Sequence, residues 1–191
     1  MITSKRLKFG ETIVDINKRN FIKSKVNELN KIPFAIAEVG VYKGGTAKII
    51  FGAMNKEHDL YLFDTFEGIP NKSEYDNVVG IGDFGDSSYT EVQKLFNNNK
   101  VHIHKGIFPQ DTSKYIDNIK FKLVHLDVDT YISYKESLEF FYEKMIKGGC
   151  IIFDDYNVPT CLGATKAIND FFKDKTEKIK KSGESYFIIK E

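Results

Sequence analysis

Residues 34–55 read FAIAEVGVYKGGTAKIIFGAMN, and the order of features in this stretch decides the fold. Phe34–Val39 is an apolar run of strand length, rich in residues that suit a pleated, buried surface. A turn carrying Gly40, Gly44 and Gly45 follows it, and Thr46–Asn55 then has the composition of a helix. Strand, glycine turn and helix together open a βαβ unit. Glycines at such a turn let the backbone approach a ligand and present N–H groups at a helix N-terminus.

The same alternation continues outward. Leu60–Phe63, Val101–His104, Leu123–Leu126 and Cys150–Phe153 read as four more strands, with the apolar content of strands covered on both faces. Helices are expected at Ile13–Leu29, Ser88–Asn97, Ser133–Ile146 and Thr165–Phe172. In the third of these, Leu138, Phe141, Tyr142 and Met145 fall on one face. Lys147-Gly148-Gly149 then reads as its end, with glycine as the left-handed cap. Glu177–Lys181 and Ser185–Ile189 flank Ser182-Gly183, a turn signal between two short strands. The expected architecture is α/β: a parallel sheet closed by a C-terminal antiparallel hairpin.

A chain of 191 residues is one domain by length, here 1–191, with an N-terminal helical segment (1–30) before the core (31–191). Its 41% hydrophobic and 14% aromatic content is that of a globular protein. With 28 basic against 27 acidic residues it lacks the electrostatic footprint of a nucleic-acid or membrane-surface partner. Two cysteines, Cys150 and Cys161, are too few for a disulfide framework or a zinc site. No apolar run approaches the ~20 residues that span a bilayer, and Met1–Gly10 lacks a signal-peptide core. A cytoplasmic protein with no membrane partner is expected.

The turn has an acidic partner. Asp64 ends the second strand, 24 residues after Gly40, where a carboxylate can accept hydrogen bonds from ribose hydroxyls. From Gly40 the glycines run G-x-x-x-G-G, with Glu38 two residues before, which departs from the dinucleotide pattern G-x-G-x-x-G. The pattern suits a ligand with an amino-acid tail, S-adenosylmethionine, whose ammonium could pair with Glu38. A tight βα turn with a chance acid is the plainer alternative.

Asp127-Val128-Asp129 ends the fourth strand and Asp154-Asp155 the fifth. Neighbouring parallel strands aim such carboxylates into one crevice, where a hard divalent ion, Mg²⁺ above all, relieves their repulsion. The D-x-D at Asp127-Val128-Asp129 also fits a metal-dependent glycosyltransferase, and less well a phosphatase with an aspartate nucleophile. Neither accounts for Glu38–Thr46 together with Asp64. His102 and His104 read as strand residues, Cys150 as core, and Cys161 as incidental to the site. Tyr131 and Tyr156 read as packing aromatics that could line an acceptor pocket.

EVGVYKGGTA (38–47), FDTFEGIP (63–70), GDFGDSS (82–88), GIFPQDT (106–112), HLDVDTYISY (125–134) and IIFDDYN (151–157) resemble the macrocin O-methyltransferase family over roughly residues 9–175. That family consists of S-adenosylmethionine- and Mg²⁺-dependent sugar O-methyltransferases. The resemblance implies the Rossmann-like class I methyltransferase fold: a seven-stranded, mostly parallel sheet with an antiparallel C-terminal strand and helices on both faces. It implies cofactor contacts from Thr12, Ile13, Glu38, Val39, Gly40, Val41, Tyr42, Gly44, Asp64, Thr65, Phe66, Ser88, Gly106, Ile107 and Asp127. It also implies a metal held by Asp127, Asp154 and Asp155.

The expected partner is a small-molecule hydroxyl acceptor, a sugar or natural product, and a vicinal diol would suit a chelating metal. A homo-oligomer is compatible with the sequence, and a non-catalytic methyltransferase-like subunit stays open as another reading. The lysine base of catechol O-methyltransferase, three residues after the first metal ligand, is replaced here by Thr130. Asp129 is then the candidate base and His125 the reserve, although Asp129 could equally cap the helix near Ser133.

Overall fold

The computed structural model describes residues 7–191; the first six residues of the expected N-terminal segment lie outside it. The chain runs α1 (Ile16–Glu28), β1 (Ala35–Val39), α2 (Gly45–Ala53), β2 (Leu60–Asp64), α3 (Tyr89–Gln93), β3 (Val101–Lys105) and β4 (Phe121–Leu126). It continues through α4 (Tyr131–Tyr142), β5 (Met145–Phe153), α5 (Leu162–Phe172), β6 (Lys180–Ser182) and β7 (Ser185–Ile189). All seven strands form one sheet in the order β3-β2-β1-β4-β5-β7-β6. β1 to β5 are parallel, and β7 is antiparallel to both β5 and β6. The expected seven-stranded class I architecture is what the chain adopts.

The central strands β1, β2, β4 and the second half of β5 are largely buried on both faces, which is why they read as apolar runs rather than alternating ones, whereas β3 is half-buried and β6 exposed. Ala37, Val39, Phe63, Leu126 and Phe153 face α4 and α5, meeting Tyr134, Leu138, Phe141 and Ile168. Ile36, Leu62, Leu123 and Ile152 face the other way, onto Ile22, Val26, Ala47, Ile50 and Val92 of α1, α2 and α3. Each such side chain contributes about 1.5–3 kcal/mol by leaving water, so the two layers dominate the stability. The register places Val39 beside both Phe63 and Leu126, and Leu126 beside Phe153. The strands therefore end level, and the winding reverses between β1 and β4, where α/β sheets open a crevice.

Four local expectations change. The helix from Ser133 stops at Tyr142, and Met145 pairs with Phe121 as the first residue of β5. Met145 keeps the helical spacing because it is buried either way. Gly148 does take a left-handed φ of +81°, but in a β5 bulge, its N–H donating to the Lys190 carbonyl at 2.7 Å, not as a helix cap. The helix expected over Ser88–Asn97 is only Tyr89–Gln93, with the Ser88 hydroxyl capping it. Finally, Glu177 precedes β6 rather than opening it. Its buried carboxylate accepts from Lys190 Nζ at 2.8 Å and Tyr142 Oη at 2.7 Å, tying β7 to α4.

That last contact makes a pH prediction. Burial pushes the Glu177 carboxyl up, but Lys190 and Tyr142 outweigh it and hold it at about 2, below the usual 4.5. A depressed carboxylate contributes stability that is complete above its unfolded pKa and lost as pH falls through the folded one. Glu177→Gln should therefore flatten the decline of the urea midpoint between about pH 5 and pH 2. An unchanged slope would mean that other carboxylates dominate acid unfolding.

Candidate active site

The crevice begins at a backbone contact. Gly40 has φ +87°, and a Cβ there would stand 1.7 Å from the Asp127 carbonyl oxygen, so only glycine fits. The turn it starts is held by Asp64. Its Oδ2 accepts from Val41 N at 2.7 Å and Tyr42 N at 2.8 Å, and its Oδ1 from Phe66 N at 2.6 Å. A carboxylate has about four acceptor sites, so Asp64 keeps roughly one for a ligand. Burial raises its pKa, against the pull of these three N–H groups.

The N-terminal segment crosses this turn. A Cβ on Gly45 would lie 2.3 Å from the backbone of Glu11, and Thr12 Oγ1 meets Thr46 Oγ1 at 2.9 Å. Lys43, nearly buried, reaches Asp86 Oδ2 at 2.5 Å and the Leu7 carbonyl at 3.2 Å. One lysine thus fastens both this segment and the loop before α3.

Strand alternation carried past β5 divides Asp154 from Asp155, while Asp129 leaves the face of Asp127 because its φ of +59° breaks the extended chain after β4. His125, Asp127 and Asp154 place ligand atoms within 4.8 Å of one another on the α1 side. Asp129, Asp155 and Cys161 form a second such group on the α4 and α5 side. The expected ligands Asp127, Asp154 and Asp155 are thus shared between two groups. Asp155 Oδ2 is already committed, accepting from Val128 N at 3.1 Å, Asp129 N at 3.0 Å and Tyr134 Oη at 2.8 Å. Its Oδ1 has no such bond among the described residues.

Electrostatics follow the same division. Burial, with Asp154 and Asp155 nearby, drives Asp127 well above the carboxylate range. Burial and the Asp155 charge lift Asp129 to about 7, and burial and Asp154 lift Asp155 to about 6. Asp154 is the exception: burial raises it, but His125 and Lys18 bring it below its usual value. Lys18, on α1, donates to the Asp154 carbonyl at 2.6 Å and to Oδ2 at 3.2 Å. Sequence reasoning missed it, since a lysine on a polar helix gives no local signal.

His125 faces the α1 layer, as its alternation suggests, but meets acids there. Nδ1 lies 3.1 Å from Glu38 Oε1 and Nε2 3.7 Å from Asp154 Oδ1. Burial lowers its pKa, yet the two acids more than offset this and hold it at about 10. A ring kept protonated and off the cavity wall is not a base, which removes His125 from the catalytic candidates. Glu38 is equally buried, with Oε2 unpartnered among the described residues, and also stands behind the wall. The alternative of Asp129 as a helix cap fails too, because Thr130 caps α4 and Asp129 instead takes a φ of +59°.

A cavity of about 330 Å³ runs along the strand ends. Thr12, Ile13, Val39, Gly40, Val41 and Tyr42 line it, as do Asp64, Thr65, Gly106 and Ile107. So do Asp127, Asp129, Asp154 and Asp155. Four expected contacts do not: Gly44 turns the chain into α2, Phe66 packs in the core, Ser88 caps α3, and Glu38 binds His125. Phe108, Ser133, Ser137 and Cys161 line the cavity without having been expected there. Cys161 sits 3.5 Å from Asp129 Oδ1.

Asp155→Ala strands the Val128 and Asp129 N–H groups, while Tyr134 Oη keeps the Leu126 carbonyl at 2.8 Å, and should cost about 2–4 kcal/mol in urea unfolding, against about 1 kcal/mol for Tyr134→Phe. Equal small losses from both would show that Asp155 does not organise this loop.

The chain is 27% identical over 175 residues to demethyldecarbamoylnovobiocin O-methyltransferase of Streptomyces niveus, covering 81% of this chain and 66% of that protein. It is 24% identical over 161 residues to mycinamicin III 3''-O-methyltransferase of Micromonospora griseorubida, covering 73% and 61%. The matches thus span somewhat less than two thirds of these relatives' lengths. The fold is shared with the O-methyltransferase NovP (TM-score 0.78, 23% identity, 94% of this chain and 82% of that one). It is also shared with an O-methyltransferase from Bacillus cereus solved with SAH (TM-score 0.63, 14% identity, 93% and 82%). No helix among the described residues is long and apolar enough to cross a membrane. A family model described as macrocin O-methyltransferase (TylF) matches residues 7–182, and the chain belongs to that family.

Proposed function

We propose that the protein transfers a methyl group from S-adenosylmethionine to a hydroxyl of a sugar or glycosylated small molecule. The observation that carries this reading is the single cavity that joins the glycine turn and Asp64 to the carboxylates of β4 and β5. The cofactor fits what is there: Gly40 admits close backbone approach, and Asp64 has an acceptor site left for a ribose hydroxyl. Relatives named for novobiocin and mycinamicin methylation support a glycosylated acceptor. The glycosyltransferase reading of Asp127-Val128-Asp129 loses its basis, because the two carboxylates fall into separate groups. Two free cysteines agree with a reducing, cytoplasmic setting.

A divalent metal also fits the donor set. Asp127 and Asp154 place hard carboxylate oxygens within 4.8 Å of one another, whereas Asp155, with Oδ1 unengaged among the described residues, falls in the second group, and His125 and Lys18 offset part of the negative charge. Such an ion, Mg²⁺ by chemistry, would orient the acceptor and favour its deprotonated oxygen. The chain's own contribution is alignment and proton removal. The N-terminal segment and the loop containing Phe84 line the cavity beside the glycine turn. Asp129 takes the acceptor proton, since it faces the cavity and its Oδ1 is engaged only by the Cys161 thiol.

Calorimetry with S-adenosylhomocysteine, NAD and a UDP-sugar should detect binding of the first alone; binding of a UDP-sugar alone would overturn the cofactor. Asp129→Asn should lower kcat by about 10²–10⁴-fold with S-adenosylhomocysteine affinity unchanged. EDTA should abolish methyl transfer to glycoside acceptors, detected by mass spectrometry, and Mg²⁺ should restore it. Full turnover in EDTA would remove the metal, and no turnover on any hydroxyl acceptor would favour a non-catalytic subunit.

A further inference from the structure

Asp129 stands in a short segment whose conformation has to be held from both sides. Its φ of +59° is left-handed, which a residue other than glycine keeps only where the surroundings enforce it. On the near side, Asp155 Oδ2 accepts from the N–H groups of Val128 and of Asp129 itself. On the far side α4 begins two residues later at Tyr131, and the first N–H of a helix has no partner within it. That partner is Asp76, from the loop between β2 and α3: Tyr131 N donates to Asp76 Oδ1 at 3.0 Å.

Asp76 is buried and does not line the cavity, so it meets no ligand. Its Oδ2 accepts from Ser73 N at 2.7 Å and Ser73 Oγ at 2.8 Å, which fixes the carboxylate within its own loop and turns Oδ1 to α4. The start of α5 makes room for it. A Cβ on Gly163 would stand 1.9 Å from Asp76 Oδ1 and 3.1 Å from Tyr131 N. Two residues before Gly163, the Cys161 thiol donates to Asp129 Oδ1. The chain leaving Asp129 and the chain carrying its thiol partner therefore meet at one carboxylate. The part of the loop nearest the glycine turn is held separately, by Ile69 N on the Asp83 carbonyl at 2.9 Å and Gly82 N on the Ile69 carbonyl at 3.0 Å.

We propose that Asp76 is a positioning residue for methyl transfer: by holding Tyr131 N against Gly163 it fixes the direction in which Asp129 presents its carboxylate. The proposal rests on Asp129 as the base, and a double variant separates the two. Turnover is read by mass spectrometry with S-adenosylmethionine and the best acceptor of a panel of 4-nitrophenyl glycosides, and cofactor affinity by calorimetry with S-adenosylhomocysteine. Asp76→Ala should lower kcat at least about tenfold, as a misplaced catalytic group does, with that affinity unchanged. Asp76→Asn keeps an oxygen for Tyr131 N and should recover most of the loss. Gly163→Ala drives a methyl group against Asp76 Oδ1 while removing no polar group, so it should reproduce the loss, and it carries the test if Asp76→Ala does not fold. On an Asp129→Asn background, Asp76→Ala should change kcat by less than about twofold, since there is no base left to position. No turnover of any glycoside by the wild type, or wild-type kcat in Asp129→Asn, would refute the reading beneath the proposal. With those intact, unchanged kcat in Asp76→Ala or Gly163→Ala would overturn Asp76 alone. So would a second full loss on top of Asp129→Asn, or S-adenosylhomocysteine binding weakened in proportion to kcat.

Discussion

The carbonyl of Asp127 passes where a side chain on residue 40 would stand, and the site is built around that approach. It brings the ends of β1 and β4 together at the point where the winding reverses. Asp127 N donates to the Val39 carbonyl at 3.0 Å and Gly40 N to the Phe63 carbonyl at 2.9 Å, so three strands finish as one edge. Asp64 then fixes the turn beyond Gly40 from the side of β2. Apart from the Asp64 carboxylate these contacts join backbone groups, so the floor of the cavity is set mainly by backbone geometry.

Above that floor the structure concentrates like charges and then separates them. Alternation turns Asp154 towards α1 and Asp155 towards α4, so neighbours in sequence serve different surroundings. Lys18 and His125 hold Asp154 ionised, whereas Asp155 is satisfied by two backbone N–H groups and Tyr134. The buried Glu38–His125 pair is the link between these arrangements and β1. Breaking one member of a buried charged pair leaves the other unpaired, which gives this cluster a strong hold on the local fold.

Much of this was legible in the chain. The five apolar runs located β1 to β5 because a parallel sheet buried on both faces needs continuous apolar sequence. Ser182-Gly183 pointed to the hairpin, although the reversal falls at Gly183-Glu184 between β6 and β7. Where the reading slipped, burial was the cause. Met145 is apolar in a helix or in a strand, and periodicity alone cannot divide α4 from β5 when only Glu143 and Lys144 intervene.

The sequence by itself determined the strand order of chemistry: a glycine turn after β1, an acid after β2, and acids after β4 and β5. Those features are local, since each depends on residues a few positions apart at a strand end. Only the tertiary structure decided which side chains reach the cavity. Glu38 and His125 turned away to pair with each other, Ser88 became a cap, and Lys18 arrived from α1, distant in sequence, to hold Asp154. A side chain's direction depends on what the opposite layer offers it, and that is fixed only when the helices pack onto the sheet.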